Sequence, residues 1–521
     1  MSKFKNKHLL KAIGLPLILS AVLIGLLIFQ NLQNEIQLPD EGWSRSIPLP
    51  ITTGETDPFV RSDEDGFSVY APESGKIVHL KLDKALNVKN ESSIPAGIGI
   101  DDAYWAKDNE AIYIKDGTLL SLKGNEETTI LDNVTGLSAS ESTIVAWKEN
   151  KLFTVNTETK AATPAGETKD PISSVVIPEN APSFIVISNP KETVKKLSYY
   201  KAEAGNSYTA TDMFTLEMNP GENIFSIDYI ENKAGLEVVY NTFAIRQGKR
   251  EYRALHTSIP FENLSSEPSF KAVNLFEEKA GSKLQDPAYL QFALKGQKPT
   301  LFFAARGASI QKKDSVNIYE AIQKDDKWLA NRRSTSEQQS VLPVFGDDQT
   351  LFWMDHENGR YSLATASSNP DVIEKSQKLT GEDWKNASAD TFQALMGALM
   401  VIFNSMMWII PTAIFLFAML VVNVNAIEND ERWVRTTSIV LYLLTQIALI
   451  HFIFNNPFYT FAPSYLTFTG SVVILPLLLG VLTWLFNKFG RNDEWGSISK
   501  VSYFIALNTW IVLIVIGPYI L

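Results

Sequence analysis

Residues 104–122 read YWAKDNEAIYIKDGTLLSL, and this stretch carries the pattern that decides the fold of most of the chain. Two apolar runs, Tyr104–Ala106 and Ala111–Ile114, are separated by the polar residues 107–110. Lys115-Asp116-Gly117 then precedes another apolar stretch, Thr118 to Leu122. Short apolar runs bounded by polar turn residues are typical of strands, and Asp-Gly is a common hairpin turn. The stretch therefore predicts a β-hairpin.

The same strand–turn–strand pattern recurs about seven times along the chain. The second strands of these units begin near residues 68, 111, 143, 184, 236, 300 and 350. A four-stranded propeller blade takes ~40–50 residues, so the average spacing fits and its scatter indicates loop insertions. The units resemble the bacterial WD40-like and TolB-like β-propeller superfamily, in which a strand, a polar turn and an aromatic-rich strand recur. The resemblance is one of architecture, since neither a Gly-His nor a Trp-Asp signature marks the units.

We therefore predict an all-β, extracytoplasmic propeller of about seven blades over residues 59–375. The structural alternative is a pair of β-sandwiches, which would also contain many short strands with alternating patterns. Linkers are expected on both sides of the propeller, at residues 31–58 and 376–390.

Long uncharged apolar runs flank this segment. One precedes it, from Ala12 to Phe29, and only ten charged residues occur in the 131 residues after Asp390. These leave four further runs, near residues 391–427, 436–456, 466–487 and 501–521. A membrane-spanning helix needs ~20 mostly apolar residues. We predict five spans: a signal anchor at 12–30 and a four-helix bundle at 391–521, whose long first helix is kinked at Pro411.

The basic residues predict the orientation of these spans. The first run follows Lys3, Lys5, Lys7 and Lys11, which places residues 1–11 in the cytoplasm by the positive-inside rule. The exit of the run lacks a small-x-small cleavage pattern, so we expect an uncleaved anchor. The first crossing then places the large segment outside the cytoplasm, and the four later crossings return the C-terminus to the same side. The remaining basic residues fall on the cytoplasmic side: Arg432, Arg435, Lys488, Arg491 and Lys500.

Composition excludes several classes of protein. The chain has no Cys, which excludes disulfides, thiol nucleophiles and thiolate metal sites. Its net charge is −11, and residues outside 31–390 contribute nine basic and five acidic side chains, so the large segment itself carries −15. An acidic chain without a basic tract is not expected to bind nucleic acid. A Cys-free exported domain fits a bacterial cytoplasmic membrane, where we expect this protein to lie.

No catalytic residue and no cofactor are predicted. The chain contains no Gly-x-Ser-x-Gly, no His-Glu-x-x-His and no phosphate-binding Gly-x4-Gly-Lys-Ser/Thr motif. Asp63, Asp65 and Asp355 lie in acidic, Gly-containing stretches and are the candidates for a cation site, as in calcium loops. Asp and Gly are also the ordinary residues of β-turns, and neither stretch completes an EF-hand spacing.

The predicted spans contain no Asp, Glu, Lys or Arg, which argues against an autonomous secondary transporter. Their polar residues are expected to bond across helix interfaces, and the candidates are Asn404, Ser405, Gln446 and Asn508. Trp408 and Tyr442 are among the aromatic residues considered for a belt at the membrane surface.

Three functions follow from these patterns. The first is a non-enzymatic scaffold, sensor or accessory subunit that is integral to the membrane and binds another membrane or envelope protein. The second is a component of a channel, exporter or transporter. The third is a hydrolase that acts on envelope polymers or peptides.

Overall fold

Two units make up the chain in the computed structural model. Residues 37–378 form one unit, and residues 1–36 with 379–521 form the other. The structure describes residues 2–40, 42–203, 207–307, 315–325, 327–455, 458–459, 462–490 and 495–520. Within them, side chains 2–13, 15 and 490 are left out. Arg491 and Asn456 therefore lie outside the described residues.

The first unit is a seven-bladed β-propeller, since its strands form seven sheets in chain order. Blade 1 contains β2 (Phe59–Ser62), β3 (Gly66–Glu73), β4 (Lys76–Asp83) and β5 (Val88–Ile94). Blade 2 contains β6 (Tyr104–Lys107), β7 (Glu110–Lys115), β8 (Thr118–Lys123) and β9 (Glu126–Leu131). Blade 3 contains β10 (Gly136–Ala139), β11 (Ile144–Lys148), β12 (Lys151–Val155) and β13 (Ala162–Glu167).

The next three blades are built from longer strands. Blade 4 contains β14 (Ile172–Val176), β15 (Phe184–Lys191), β16 (Val194–Ala202) and β17 (Tyr208–Glu217). Blade 5 contains β18 (Glu222–Glu231), β19 (Gly235–Arg246), β20 (Lys249–Pro260) and β21 (Lys271–Ala272). Blade 6 has a fifth, outermost strand and contains β22 (Leu275–Glu277), β23 (Gln285–Lys295), β24 (Lys298–Arg306), β25 (Val316–Lys324) and β26 (Lys327–Arg332).

The predicted propeller is confirmed, and the β-sandwich alternative is set aside. The second strand of each blade begins within a few residues of its predicted position, at residues 66, 110, 144, 184, 235, 298 and 350. The hairpin at residues 104–122 forms β6 to β8, with Asp116 and Gly117 both at positive φ in its second turn. Consecutive residues of these strands are buried, because both faces of the blade pack apolar side chains against the neighbouring blades.

The last blade is completed by residues from the start of the unit. Blade 7 contains β27 (Gln339–Asp347), β28 (Thr350–Glu357), β29 (Arg360–Ser367) and β1 (Ile47–Thr53). β1 pairs antiparallel with β29, with Ile47 opposite Thr365, and its burial alternates from Leu49 onward. The stretch 31–58, predicted as a linker, therefore contains the strand that closes the ring. The sequence did not predict this strand, because it contains Pro48 and Pro50 and proline is confined to edge strands, strand starts and bulges.

The other unit is helical. Its helices are α1 (Ser2–Glu35), α3 (Gly381–Ala398), α4 (Met400–Val422), α5 (Val424–Glu428), α6 (Arg432–Leu449), α7 (Ser471–Gly490) and α8 (Ser497–Val515), whereas the short α2 (Pro370–Ser376) follows the propeller. Five helical segments are long and apolar enough to cross a membrane: 16–35, 381–422, 432–452, 471–489 and 497–515. Their count agrees with the five predicted spans.

The long second run, near residues 391–427, differs in detail from its prediction. The helix breaks at Leu399, between α3 and α4, whereas Pro411 lies inside α4 without interrupting it. The second predicted linker, 376–390, is helical from Gly381 onward. Thr380 and Asp383 form a capping box there, in which the Asp383 amide donates to Thr380 Oγ1 at 3.2 Å and the Thr380 amide donates to Asp383 Oδ2 at 2.7 Å.

Candidate functional site

The strand order gives the propeller two distinct faces. Because the strands of a blade alternate in direction, the turns between second and third strands lie on the same face as the connections to the next blade. We call this the cleft face. The opposite face, which we call the link face, carries both ends of the propeller chain, before Ile47 and after Ser367.

Side chains of the first strands and the loops that follow them meet around the central channel. Arg61 Nη1 of blade 1 donates to Glu141 Oε1 of blade 3 at 3.2 Å. Gln291 Nε2 of blade 6 donates to Glu179 Oε1 of blade 4 at 3.3 Å. Each hydrogen bond joins two blades that are not neighbours in the ring, so these groups face one another across the channel.

The cleft face holds an open cavity of about 510 Å³ between blades 1, 2 and 3. Its polar and aromatic lining consists of Asp101, Asp102, Lys115, Asp116, Thr135 and Trp147. A second cavity of about 400 Å³, lined by Glu55, Asp101 and Tyr361 among others, adjoins it at Asp101. We call the two cavities together the acidic cleft. Their size is typical of pockets that hold a small ligand or a few residues of a partner.

Two of the carboxylates hold the wall of the acidic cleft in place. Asp101 Oδ1 accepts a hydrogen bond from the Glu55 amide at 3.0 Å, and Asp102 Oδ2 accepts one from the Gly99 amide at 2.7 Å. Lys115 and Asp116, at the turn between β7 and β8, make no side-chain hydrogen bond or ion pair with the described residues. They are therefore available to a ligand.

The floor of the acidic cleft depends on a glycine. A Cβ at Gly136 would lie 2.0 Å from the Trp147 ring, so only glycine lets the indole lie against this strand. An indole surface beside carboxylates can bind a cationic or polar group. Among the described lining residues there is no Ser, Thr or Lys hydrogen-bonded to a general base.

Three carboxyl groups around the channel have raised pKa values. Enclosure by the surrounding blades raises the pKa of Asp57 to about 6, and the nearby charge of Glu55 adds to this effect. Enclosure likewise raises the pKa of Glu179 to about 8, with further contributions from Asp228 and Glu141. It raises the pKa of Asp228 to about 7, against the hydrogen bonds that this group accepts from the Phe292 and Tyr229 amides.

The candidates for a cation site lie in blades 1 and 7. Asp63 Oδ1 accepts hydrogen bonds from the Asp65 and Gly66 amides, both at 2.8 Å, and so closes the turn between β2 and β3. Asp65 is exposed in the same turn. Asp355, which the sequence placed in a turn, is instead buried within β28. Its Oδ1 accepts from Ser340 Oγ at 2.7 Å and Trp353 Nε1 at 2.9 Å.

A neutral polar network connects three of the apolar helices. Asn508 Oδ1 on α8 accepts hydrogen bonds from Tyr442 Oη and Gln446 Nε2 on α6, both at 2.9 Å. Asn508 Nδ2 donates to Thr483 Oγ1 on α7 at 3.0 Å. All four side chains are fully buried. We call these residues the helix network, and it unites two of the predicted interface residues, Gln446 and Asn508.

The other two interface candidates behave differently. Ser405 is buried, but its hydroxyl donates to the Ile402 carbonyl of its own helix at 2.7 Å. Asn404 is half-buried and makes no side-chain hydrogen bond with the described residues. Trp408 and Tyr442 are fully buried, so neither belongs to a belt at the membrane surface. Thr483 gave no signal in the sequence, because a lone Thr in a span commonly bonds its own helix.

A cluster of ionic contacts ties α8 to the loop between α5 and α6. Asp430 Oδ2 lies 2.6 Å from Lys500 Nζ and also contacts Arg435, while Ser497 Oγ donates to Asp430 Oδ1 at 2.8 Å. Partial burial opposes ionisation of Asp430. The hydrogen bonds from Lys500, Arg435 and Ser497 outweigh this effect and lower its pKa to about 2.

Comparison with known proteins yields structural likeness alone. No protein-family model and no curated protein matches the chain. Among solved structures, the N-terminal domain of Nup159 matches 64% of this chain and 98% of its own length, with a TM-score of 0.38 and 11% identity. The WD40 domain of Pan2 from Neurospora crassa matches 63% of this chain and 96% of its own, with a TM-score of 0.40 and 11% identity. The WD40 domain of SCAP from fission yeast matches 64% of this chain and all of its own, with a TM-score of 0.34 and 10% identity.

Proposed function

We propose that this protein is a non-enzymatic, membrane-integral scaffold, sensor or accessory subunit whose propeller binds a partner at its cleft face. The observation that carries this proposal is the acidic cleft, an open cavity of about 510 Å³ in which Lys115 and Asp116 are free for a ligand. Rigid blades that present loops at one face suit recognition, because the scaffold fixes the loops before binding.

The proposed setting follows from the helical segments and the charges. Five helices are long and apolar enough to cross a bilayer, and four lysines precede the first of them. We propose a bacterial cytoplasmic membrane, with residues 1–11 in the cytoplasm and the propeller and C-terminus outside. In this setting the helix network stabilises the contacts among α6, α7 and α8, and the outer faces of the helices contact a membrane partner.

Crosslinking with mass spectrometry in the native membrane tests the scaffold proposal. We expect a stoichiometric membrane or envelope protein crosslinked to the propeller near Lys115, and co-purifying in mild detergent. The variant Lys115→Gln/Asp116→Asn should reduce co-purification, whereas Lys123→Gln, at an exposed lysine of the same blade away from the cleft, should not. A chain that stays alone at native expression levels contradicts the proposal.

A second proposal makes the helices part of a transport pathway. The observation behind it is that Thr412 Oγ1 and Gln446 Oε1 are fully buried among apolar helices and have no hydrogen-bond partner among the described residues. Such groups are costly in a hydrocarbon environment unless they serve a passing polar solute or pair with one another. Proteoliposomes test this proposal: potassium or proton flux should exceed that of empty liposomes and fall in Gln446→Leu. Flux equal to that of empty liposomes contradicts it.

A further inference from the structure

We infer that the hairpin formed by residues 243–253 of blade 5 is a second docking element of the cleft face, and that it binds an acidic segment of a partner protein. This inference rests on the proposed scaffold function and specifies the chemistry of the partner. The acidic cleft is lined by residues of blades 1, 2, 3 and 7, whereas the hairpin belongs to blade 5.

The hairpin extends beyond its own blade. β19 and β20 have 12 residues each and are the longest of the described strands. Pairing with the inner strand β18 ends where Glu222 lies opposite Ala244, so residues 245–250 continue past it. Gln247 and Gly248 both have positive φ, as a tight two-residue hairpin turn requires. Ile245 consequently has 63% of its surface exposed, an unusual position for an aliphatic side chain.

One side of the hairpin is apolar and aromatic. Strand pairing places Phe243 opposite Tyr252 and Ile245 opposite Arg250, and paired residues project to the same side of the sheet. The Phe225 ring packs edge-on against Phe243 and Tyr252, at centroid distances of 6.0 and 5.8 Å. This side therefore presents a preformed surface of Tyr, Phe, Ile and Arg, residue types that supply binding energy at protein interfaces.

The other side of the hairpin is basic. Arg246 lies opposite Lys249, and Arg253 projects to the same side, where the three cations outnumber the two carboxylates of Glu251 and Glu222. The one ion pair among these cations and the described residues joins Arg246 Nε to Glu251 Oε2 at 3.6 Å. A run of exposed cations is most often solvated. Here, however, the cations lie on a projecting turn whose other side exposes Ile245 beside Arg250, in a segment whose net charge is −15. An acidic partner would neutralise the mutual repulsion of the cations and cover the isoleucine.

The basic turn and the two ends of the propeller chain lie on different faces of the propeller. The turn between β19 and β20 lies on the cleft face, because it joins second and third strands. Both chain connections to the apolar helices leave from the link face, before Ile47 and after Ser367. The basic turn and these connections therefore lie on opposite faces of the propeller.

Photocrosslinking in the full-length protein tests the inference. A photoreactive benzoylphenylalanine replaces Ile245 in the host's own membranes, and mass spectrometry identifies the crosslinked residue. The control places the same group at Ile322, a 45%-exposed isoleucine in blade 6. We expect an adduct at 245, well above that at 322, with a protein segment whose residues within a few positions are mainly Asp and Glu.

A charge-matched pair of variants then tests the role of the cations. Arg246→Gln/Lys249→Gln should lower the adduct yield about fivefold, the order expected for two exposed ion pairs. Lys148→Gln/Lys151→Gln removes two cations from the equivalent turn of blade 3 and should leave the yield unchanged. The difference in adduct yield between the unaltered chain and Arg246→Gln/Lys249→Gln should decrease as salt concentration rises, since exposed charges are screened.

Several results would overturn the inference. They are an adduct with lipid, an adduct with a segment that is not acidic, a yield at 245 no higher than at 322, and equal losses in both charge variants. If a partner still crosslinks near Lys115 while the 245 adduct is absent, the hairpin inference fails and the scaffold proposal stands. If no partner is found at either position, both fail.

Discussion

Blade 6 of the propeller and the apolar helices both bury polar side chains, but they do so with opposite chemistry. In blade 6, Glu320 is almost fully buried between Arg333 Nε at 2.8 Å and Lys295 Nζ at 2.7 Å. Burial disfavours its ionised form, yet the two cations outweigh this and hold its pKa below the usual value. The helix network, by contrast, consists of neutral amide and hydroxyl groups around Asn508.

The difference reflects the surroundings of the two regions. A propeller blade borders water, so Lys295 keeps part of its surface hydrated while it pairs with Glu320. The helix network lies among apolar side chains of helices that are long and apolar enough to cross a membrane. In hydrocarbon, charged groups are far more costly than amides. Blade 6 therefore satisfies its buried carboxylate with ion pairs, whereas the helix network satisfies its buried polar groups with neutral hydrogen bonds.

The largest expected effect comes from breaking the buried ion pair. Arg333→Met leaves Glu320 buried with Lys295 as its one remaining cation, and removing one partner of a buried pair typically costs ~3–5 kcal/mol. We expect a clear drop in the melting temperature of the propeller. Tryptophan fluorescence during heating measures it. Arg306→Met is the control, because Arg306 forms a long, exposed pair with Asp286 at 3.8 Å and should cost less than about 1 kcal/mol. Equal drops in the two variants would contradict the comparison.

The next effect comes from the helix network. Asn508→Leu removes three hydrogen bonds between helices, each worth ~0.6 kcal/mol on average in membrane proteins, so we expect a loss of about 2 kcal/mol. Thermal unfolding in mild detergent measures it. Asn404→Leu is the matched control, since Asn404 is half-buried and makes no side-chain hydrogen bond with the described residues. A similar loss in Asn404→Leu would show that the network is not specific.

A smaller effect is expected at the charged end of α8. Asp430→Asn weakens the contacts with Lys500 and Arg435 and should cost about 1 kcal/mol, because Asp430 keeps part of its surface in water. Glu428→Gln, an exposed carboxylate in the same loop, is the control. The pKa of Asp430 is lowered, so its contribution is present above the ordinary pKa and is lost as pH falls towards about 2. Asp430→Asn should therefore be less sensitive to acid than the unaltered chain.

The smallest effect concerns the channel carboxyls. The pKa values of Asp57, Asp228 and Glu179 are raised to about 6, 7 and 8, so the folded chain binds more protons than the unfolded chain between pH 4 and 8. Stability of the propeller should therefore decrease as pH rises through this range, modestly because water reaches the channel. Melting between pH 5 and 8.5 checks the slope, and Asp228→Asn/Glu179→Gln should flatten it. An unchanged slope in that variant would assign the pH dependence to other groups.

Local patterns predicted the features that depend on neighbouring residues. Asp116-Gly117 and its flanking strands specify a hairpin wherever they occur, because turn geometry and a two-residue period act within about 15 residues. Seven such units predicted seven blades. The apolar runs predicted the long helices for the same reason, since length and the absence of charge suffice to identify them.

Contacts between distant residues escaped these patterns. Tyr442 reads as an ordinary membrane-surface aromatic until Asn508, 66 residues later, is brought within 2.9 Å of its hydroxyl. Asp430 and Lys500 read as loop charges until the packing of α8 joins them. The lining residues of the acidic cleft come from four blades, so no continuous motif marks them.

By itself, then, the sequence determined the repeated hairpins, the blade count, the acidic character of the propeller and the five apolar segments, because each is written in residues close along the chain. Tertiary structure alone decided that Ile47–Thr53 closes the ring on β29, that Gln446 and Asn508 meet, and that the hairpin 243–253 projects from the cleft face. These contacts join residues that are far apart in sequence. Whether they form depends on how all the strands and helices of their unit pack together.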